Sequence, residues 1–311
     1  MRGRYEWDKR TEESLKQSIR YFEEAIANDS SYALAHEGLA EAYAIMSTYG
    51  VLSPEEAFPK AKAEALRALE LDDGLGEAHA TLGAIIREAE GDWRGAESEY
   101  LRALELSPSY ATAHQWYSEA LLTTGRFNQG LAEMQRALEL DPGSHLMNGL
   151  LGMALYEARK YGEAIQQLRK AIEMEPRFAW SHVWLGLTYE QEGMRQQAVQ
   201  EFQEAVDLSG GSPTFTAFLG YAYGLLGDRR QARQIAEKLV ILSHSKKPDV
   251  SLLGIALVYT SLNEKERALY WLEKAYVAHD VFLAWAKVDP SLDSLRSDPR
   301  FQNLIHQIGL P

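Results

Sequence analysis

The residues with the most obvious chemical potential are His36, His79, His114 and His182, half of the eight histidines in the chain. They share one position of an internal period, an arrangement that invites a zinc reading. Geometry excludes it: equivalent residues in adjacent repeats lie roughly 10 Å apart, whereas zinc ligands all sit about 2 Å from the ion. Gly74-Leu75-Gly76 lacks both a preceding strand and a phosphate-binding continuation, so it reads as a turn between helices. Asp72-Asp73 reads as a solvated helix end and not as a proton-transfer dyad. Cysteine is absent, which removes disulfides, thiolate metal sites and cysteine nucleophiles together. Spacing nominates no Ser/His/Asp set. The chain therefore does not read as an enzyme, and no catalytic residue, metal or cofactor is expected.

With 46% hydrophobic and 25% charged residues, the 311-residue chain has the composition of an ordinary folded protein. Its formal charge of −13 argues against a nucleic-acid interface, which needs a basic face. No run of 18 apolar residues occurs, so this region is expected to make no membrane contact. The opening Met1-Arg2-Gly3-Arg4-Tyr5-Glu6-Trp7 has no apolar signal core.

The histidine register belongs to a repeat. Steps of 34 residues from Gly186 reach Gly152 and Ser118 behind it and Gly220 ahead. A second small position runs through Gly130, Ala164, Ala198 and Ala232, with Met134, Leu168 and Phe202 four residues later. Ala137, Ala171 and Ala205 follow, and Pro142 and Pro176 close their units. Each unit reads as two amphipathic helices joined by a tight turn, since apolar residues recur at three- and four-residue spacing. The small positions mark where two helices approach closely. Gly125, Gly193 and Gly227, seven residues after the first small position, fall where a helix end wants positive φ.

Tyr161-Gly162-Glu163-Ala164, followed by Leu168, Ala171 and Pro176, resembles the tetratricopeptide repeat, and the likeness recurs in register over most of the chain. The opening Gly3-Arg4-Tyr5-Glu6-Trp7-Asp8-Lys9-Arg10-Thr11, the stretch Lys287-Val288-Asp289-Pro290 and the ending around Ser297-Asp298-Pro299-Arg300-Phe301 resemble a bacterial group. In that group such repeats form the C-terminal region of winged-helix transcriptional regulators, cyclases and protein kinases. The resemblance implies an all-α, right-handed α-solenoid of helix pairs with a C-terminal capping helix. It also implies a cytoplasmic location, or the periplasmic side of a membrane-anchored parent.

The organisation expected is an N-terminal partial repeat over 1–30, an array of about seven repeats over 31–280, and a capping segment over 281–311. The long repeat 31–74 carries an insertion with Tyr49 and Gly50, then Ser53-Pro54-Glu55-Glu56 as a capping box, with Pro59 placed to kink or restart the helix. Ser209-Gly210-Gly211-Ser212-Pro213 and the loop from Ser243 to Asp249 are irregular joints. Asp298 is placed to cap a last helix whose apolar stripe is Phe301, Leu304, Ile305 and Ile308.

By the resemblance, the first helix of each repeat lines a concave groove. Inward positions are then Glu37, Glu41, Ala80, Arg87, Gln115, Glu119 and Leu122 in the first half, which is mostly acidic. In the second half they are Met153, Tyr156, Trp180, Val183, Leu187, Glu190 and Tyr221, mostly apolar and aromatic. Trp93, Trp116, Trp184 and Trp271 read as packing. Glu37, Ala80 and Gln115 stand where some family members carry the Lys/Asn clamp for a carboxylate tail, so that partner class is not expected. The reading is a protein–protein scaffold that takes a protein or peptide ligand with basic and apolar portions. A small-molecule sensor and a self-associating homo-oligomer are the alternatives.

Overall fold

The computed structural model describes residues 2–48, 51–244 and 250–310, leaving Tyr49, Gly50 and most of the 243–249 joint outside the described residues. The described residues are mostly helical, with no strand among them. The helices are α1 (Arg2–Asp8), α2 (Glu12–Asn28), α3 (Ala33–Thr48), α4 (Pro54–Leu71), α5 (Gly76–Ile85), α6 (Trp93–Leu106), α7 (Ala111–Thr123), α8 (Phe127–Leu140) and α9 (His145–Glu157). There follow α10 (Tyr161–Met174), α11 (Ala179–Gln191), α12 (Arg195–Leu208), α13 (Pro213–Leu226), α14 (Arg229–Ser243), α15 (Leu252–Ser261), α16 (Lys265–Val277) and α17 (Pro299–Gln307). Short 3₁₀ turns, Val281–Trp285 and Pro290–Leu295, precede α17.

The chain divides into two compact units, residues 1–120 and 121–310, with the division inside α7. In the first, successive helices from α1 to α6 pack on one another, and α3 also touches α5. In the second, successive helices from α8 to α16 do the same, while α9, α11, α13 and α15 form a row in which each touches the next. The fold class is all-α, built of consecutive helix pairs.

The small residues set how closely those pairs approach. A Cβ added at Gly186 would lie 2.8 Å from the Phe202 ring of α12, and one at Gly152 would lie 2.4 Å from Leu168 of α10. The repeat around Gly83 solves a local mismatch. Gly83 faces Tyr100, yet it precedes its terminal glycine, Gly91, by eight residues where the other repeats have seven. The π-helical turn Ile86–Glu90 absorbs the extra residue.

The four histidines bond to the turn before their own helix, and His36, His79 and His182 also tie that turn to the second helix of the repeat. His36, His79, His114 and His182 place Nε2 against the carbonyl oxygen six residues earlier, that of Ser30, Asp73, Pro108 and Pro176. Nδ1 of His36, His79 and His182 meets Glu64, Glu99 and Glu201 at 2.6, 2.6 and 2.7 Å. Burial opposes the charge on His182, but the Glu201 carboxylate and the Pro176 carbonyl hold its pKa above the ordinary imidazole range. Among the described residues no group of three His, Cys, Asp or Glu is placed to hold a metal ion.

Two local expectations need correction. Ser53 is the N-cap of α4, but its side chain makes no capping bond; Pro54 stands at the first helical position. Pro59 neither ends nor restarts α4, which runs through it to Leu71. The capping box is instead at Thr11, whose hydroxyl accepts from the Ser14 amide while the Thr11 amide donates back to the Ser14 hydroxyl. Asp298 does cap α17, and Phe301 and Leu304 of that helix are buried.

The close approach is testable with two substitutions. Gly186→Ala is expected to destabilise the fold by about 2 kcal/mol through overpacking against Phe202. Gly162→Ala, where an added Cβ meets nothing within 4 Å, should stabilise it by about 0.5 kcal/mol. Urea unfolding measures both, and equal effects would remove the packing argument.

Candidate functional site

The inward positions named from the repeat register are mostly covered. Glu37, Glu41, Arg87, Gln115, Met153, Tyr156, Leu187, Glu190 and Tyr221 are buried, and only Glu119 and Trp180 are half-buried. This corrects the expectation of an exposed acidic and aromatic groove surface. Part of the physical reason is visible in each unit: non-repeat segments of the same chain lie against Glu37 and Glu41 in the first and against Tyr156 and Trp180 in the second. Ala80, Leu122 and Val183 are wholly buried, and Trp93, Trp116, Trp184 and Trp271 are buried among the helices as expected.

In the first unit the occupant is Arg4 of α1. Its guanidinium bridges the Glu37 and Glu41 carboxylates, both with fully buried side chains. Tyr110 donates its hydroxyl to Glu41 at 2.9 Å and accepts from Arg4 at 3.2 Å. Thr81 donates to Glu37 at 3.3 Å. The guanidinium also lies 5.9 Å from the ring centres of Trp7 and of Tyr110. Burial pushes both carboxyl pKa values up, and Arg4 pulls them back down. One guanidinium thus serves two carboxylates that would otherwise be buried alone.

A second polar group in this unit brings Arg87, Gln115 and Glu119 together. Arg87 donates to Glu88 at 2.7 Å and to Glu119 at 3.4 Å, and Gln115 donates to Glu119 at 2.7 Å. The π-helical turn carries Arg87 and Glu88, so the extra residue of this repeat also sets where that guanidinium lies.

In the second unit the occupant is the stretch from Val281 to Arg296. Asp289 accepts from the Tyr156 hydroxyl at 3.1 Å, and from the Ser291 amide and hydroxyl at 2.8 and 2.7 Å. Arg159 grips Asp293 with two bonds of 2.7 and 2.8 Å. Arg159 stands seven residues after Gly152, where other repeats place glycine, and it adopts φ +60°. A side chain there is strained by about 1 kcal/mol, so a tether to Asp293 coincides with a backbone cost. Phe282 reaches the Trp180 ring at 5.5 Å, and Trp180 also meets Phe215, Phe218 and Trp184 at 5.0, 6.2 and 6.0 Å. Arg296 donates to the Asp289 carbonyl at 2.8 Å and to the Lys287 carbonyl, which holds the stretch in shape.

Glu190 differs from these. It is 7% exposed, and neither carboxylate oxygen has a hydrogen-bond partner among the described residues. Burial raises its pKa to about 7. The repeat register named Glu190 and the two glutamates of α3, but it missed Arg4, Tyr110, Arg159, Phe282, Asp289 and Asp293. Arg159 stands at the register of the terminal glycines, but nothing in that register marks its partner, and for the others only the Lys287-to-Pro290 and Gly3-to-Thr11 segments, noted for their resemblance, point near them.

Comparison with known proteins agrees with the helix-pair architecture. Family models described as tetratricopeptide repeat or TPR repeat match residues 88–154, 152–193 and 181–211. The transcriptional regulator HilA of Salmonella typhimurium is 28% identical over 131 residues, which is 42% of this chain and 24% of the regulator. The chain therefore spans about a quarter of the length of the curated relatives it matches. Yeast Tom70 overlays with a TM-score of 0.51 at 16% identity, covering 95% of this chain and 63% of that one. PilW, described as a type IV pilus biogenesis factor, overlays at 0.53 with 19% identity, covering 68% of this chain and 96% of that one. At those identities the overlays establish the fold alone.

Two outcomes test the electrostatics. Arg4→Ala should cost about 3 kcal/mol in urea unfolding, because two buried carboxylates lose their cation, and adding Glu37→Gln should recover part of it. A loss below about 1 kcal/mol would contradict the arrangement. For Glu190 the folded pKa lies above its reference value of 4.5, so the folded state binds the extra proton between pH 4.5 and about 7. Its contribution is full below that window and is lost as pH rises through it. Thermal melts should show stability falling across that window, with a shallower fall in Glu190→Gln; identical pH profiles would refute it.

Proposed function

We propose that this protein, a chain of tetratricopeptide repeats, is a scaffold that binds a polypeptide partner along the inward faces of its repeats. It carries out this role as the docking or sensory part of a bacterial regulator. The observation that supports the reading is the grip on Arg4. Glu37 and Glu41 of α3, the first bonded by Thr81, join Tyr110 in holding an arginine from a short helix that belongs to no complete repeat. Surfaces that recognise a peptide use the same elements: buried carboxylates for a guanidinium, a tyrosine hydroxyl, and aromatic rings alongside.

The partner is a protein or peptide with basic and apolar portions. In the first unit the chain's own Arg4 meets Glu37 and Glu41, so a basic ligand there competes with α1. In the second, Trp180 is half-buried within a cluster of four other aromatic rings, the kind of anchor that takes an apolar side chain. The regulator context rests on the partial likeness to HilA. A cytoplasmic setting accompanies it, and no described helix is long and apolar enough to cross a membrane.

Panning a random peptide library on the immobilised full chain tests the scaffold. Enriched peptides should contain arginine and an aromatic residue, and Trp180→Ala should weaken them by about tenfold or more while leaving the circular dichroism spectrum unchanged. Absence of any enrichment, or equal binding by the variant, would count against this function.

A further inference from the structure

Several buried or half-buried carboxylates among the described residues have a hydrogen-bonding partner from the chain itself. Glu37 and Glu41 have Arg4, Glu119 has Arg87 and Gln115, and Asp289 has Tyr156 and Ser291. Glu190 on α11 does not. It is more than nine-tenths buried, and both of its oxygens lack a donor among the described residues. A buried carboxylate left in that state is among the costlier arrangements a fold can keep, and a glutamine or leucine of similar size would avoid it.

Its surroundings suit an organic cation. Burial, with Asp289 and Glu190 adding to it, raises the pKa of the Tyr221 hydroxyl, so that group stays a neutral hydrogen-bonding partner. Glu190 occupies the position held by Tyr156 in the preceding repeat, and Leu187 lies one turn before it on the same helix. The cation that acts on it from within the chain is Arg195, exposed at the start of α12. A metal ion does not fit, since no described group of three suitable side chains is placed to hold one. The first unit shows the alternative in full: buried carboxylates, a tyrosine hydroxyl and aromatic rings around a guanidinium.

We propose that the buried Glu190 carboxylate of α11 receives the guanidinium group of a ligand. This rests on the reading that the inward faces bind ligands and adds the ligand's chemical class. Guanidinium suits the site better than ammonium. It offers parallel N–H groups to two carboxylate oxygens, stacks on aromatic faces, and is less strongly hydrated, so it enters a buried site at lower desolvation cost. The guanidinium comes either from an arginine of the polypeptide partner or from a free guanidino compound.

Titration calorimetry on the full chain tests this with agmatine and the peptide Gly-Arg-Gly, each beside its ammonium counterpart, putrescine and Gly-Lys-Gly. At least one guanidinium compound should bind the wild type, with its counterpart and the Glu190→Gln variant weaker by about tenfold. Binding of agmatine alone assigns a free small molecule; binding of Gly-Arg-Gly assigns the partner's arginine. A cooperative melt of Glu190→Gln, at least as stable as wild type at pH 8, verifies its fold. The proposal is overturned if neither guanidinium compound binds at millimolar concentration, if Glu190→Gln binds equally, or if the ammonium counterparts bind as well. A library peptide that binds wild type and Glu190→Gln alike would remove the Glu190 site and keep the scaffold. Agmatine binding without any peptide ligand would do the reverse.

Discussion

The structure depends on how closely two helices can approach at a residue with little or no side chain. Gly152, Gly186 and Gly220 each put helix backbone against a bulky residue of the paired helix, Leu168, Phe202 and Ile235, where an added Cβ would come within 3 Å. That approach sets the spacing of each pair, and the repeat of the small position every 34 residues sets the same spacing again. The row formed by α9, α11, α13 and α15 follows from it. What that row presents is then fixed by register: the residues one and four places after the small position share a face.

That face is electrically unusual for a covered surface. Glu37 and Glu41, with Arg4 across them, cost less than either carboxylate would alone, since charges taken from water are tolerable when paired and hydrogen-bonded. In the second unit Tyr156 and Asp289 share one hydrogen bond, while Arg159 carries a strained backbone in a position where glycine would be free of strain. Both units therefore invest specific polar contacts in holding short non-repeat segments.

The repeat itself was legible because it is periodic. Small residues, terminal glycines and the cap at Asp298 recur or stand at fixed offsets, so one register interprets them all. The shared register of the histidines is legible, but their bonds to turn carbonyls and to Glu64, Glu99 and Glu201 need coordinates to be seen. The π-helical turn was hidden because one extra residue leaves the 34-residue step from Gly91 to Gly125 intact. What covers the inward face was hidden for a different reason. Arg4 reaches Glu37 across 33 positions and Asp289 reaches Tyr156 across 133, from segments outside the repeat, and no periodic pattern carries such a contact.

Hydrogen exchange of the full chain, with and without a saturating polypeptide ligand, tests most directly whether the inward faces are the binding surface. The account predicts that added protection falls on first helices of the repeats, α11 and α13 around Trp180 and Tyr221, and on the Val281–Arg296 stretch that lies against that face. Protection confined to the second helices α10, α12 and α14, with α11 and α13 unchanged, would contradict it.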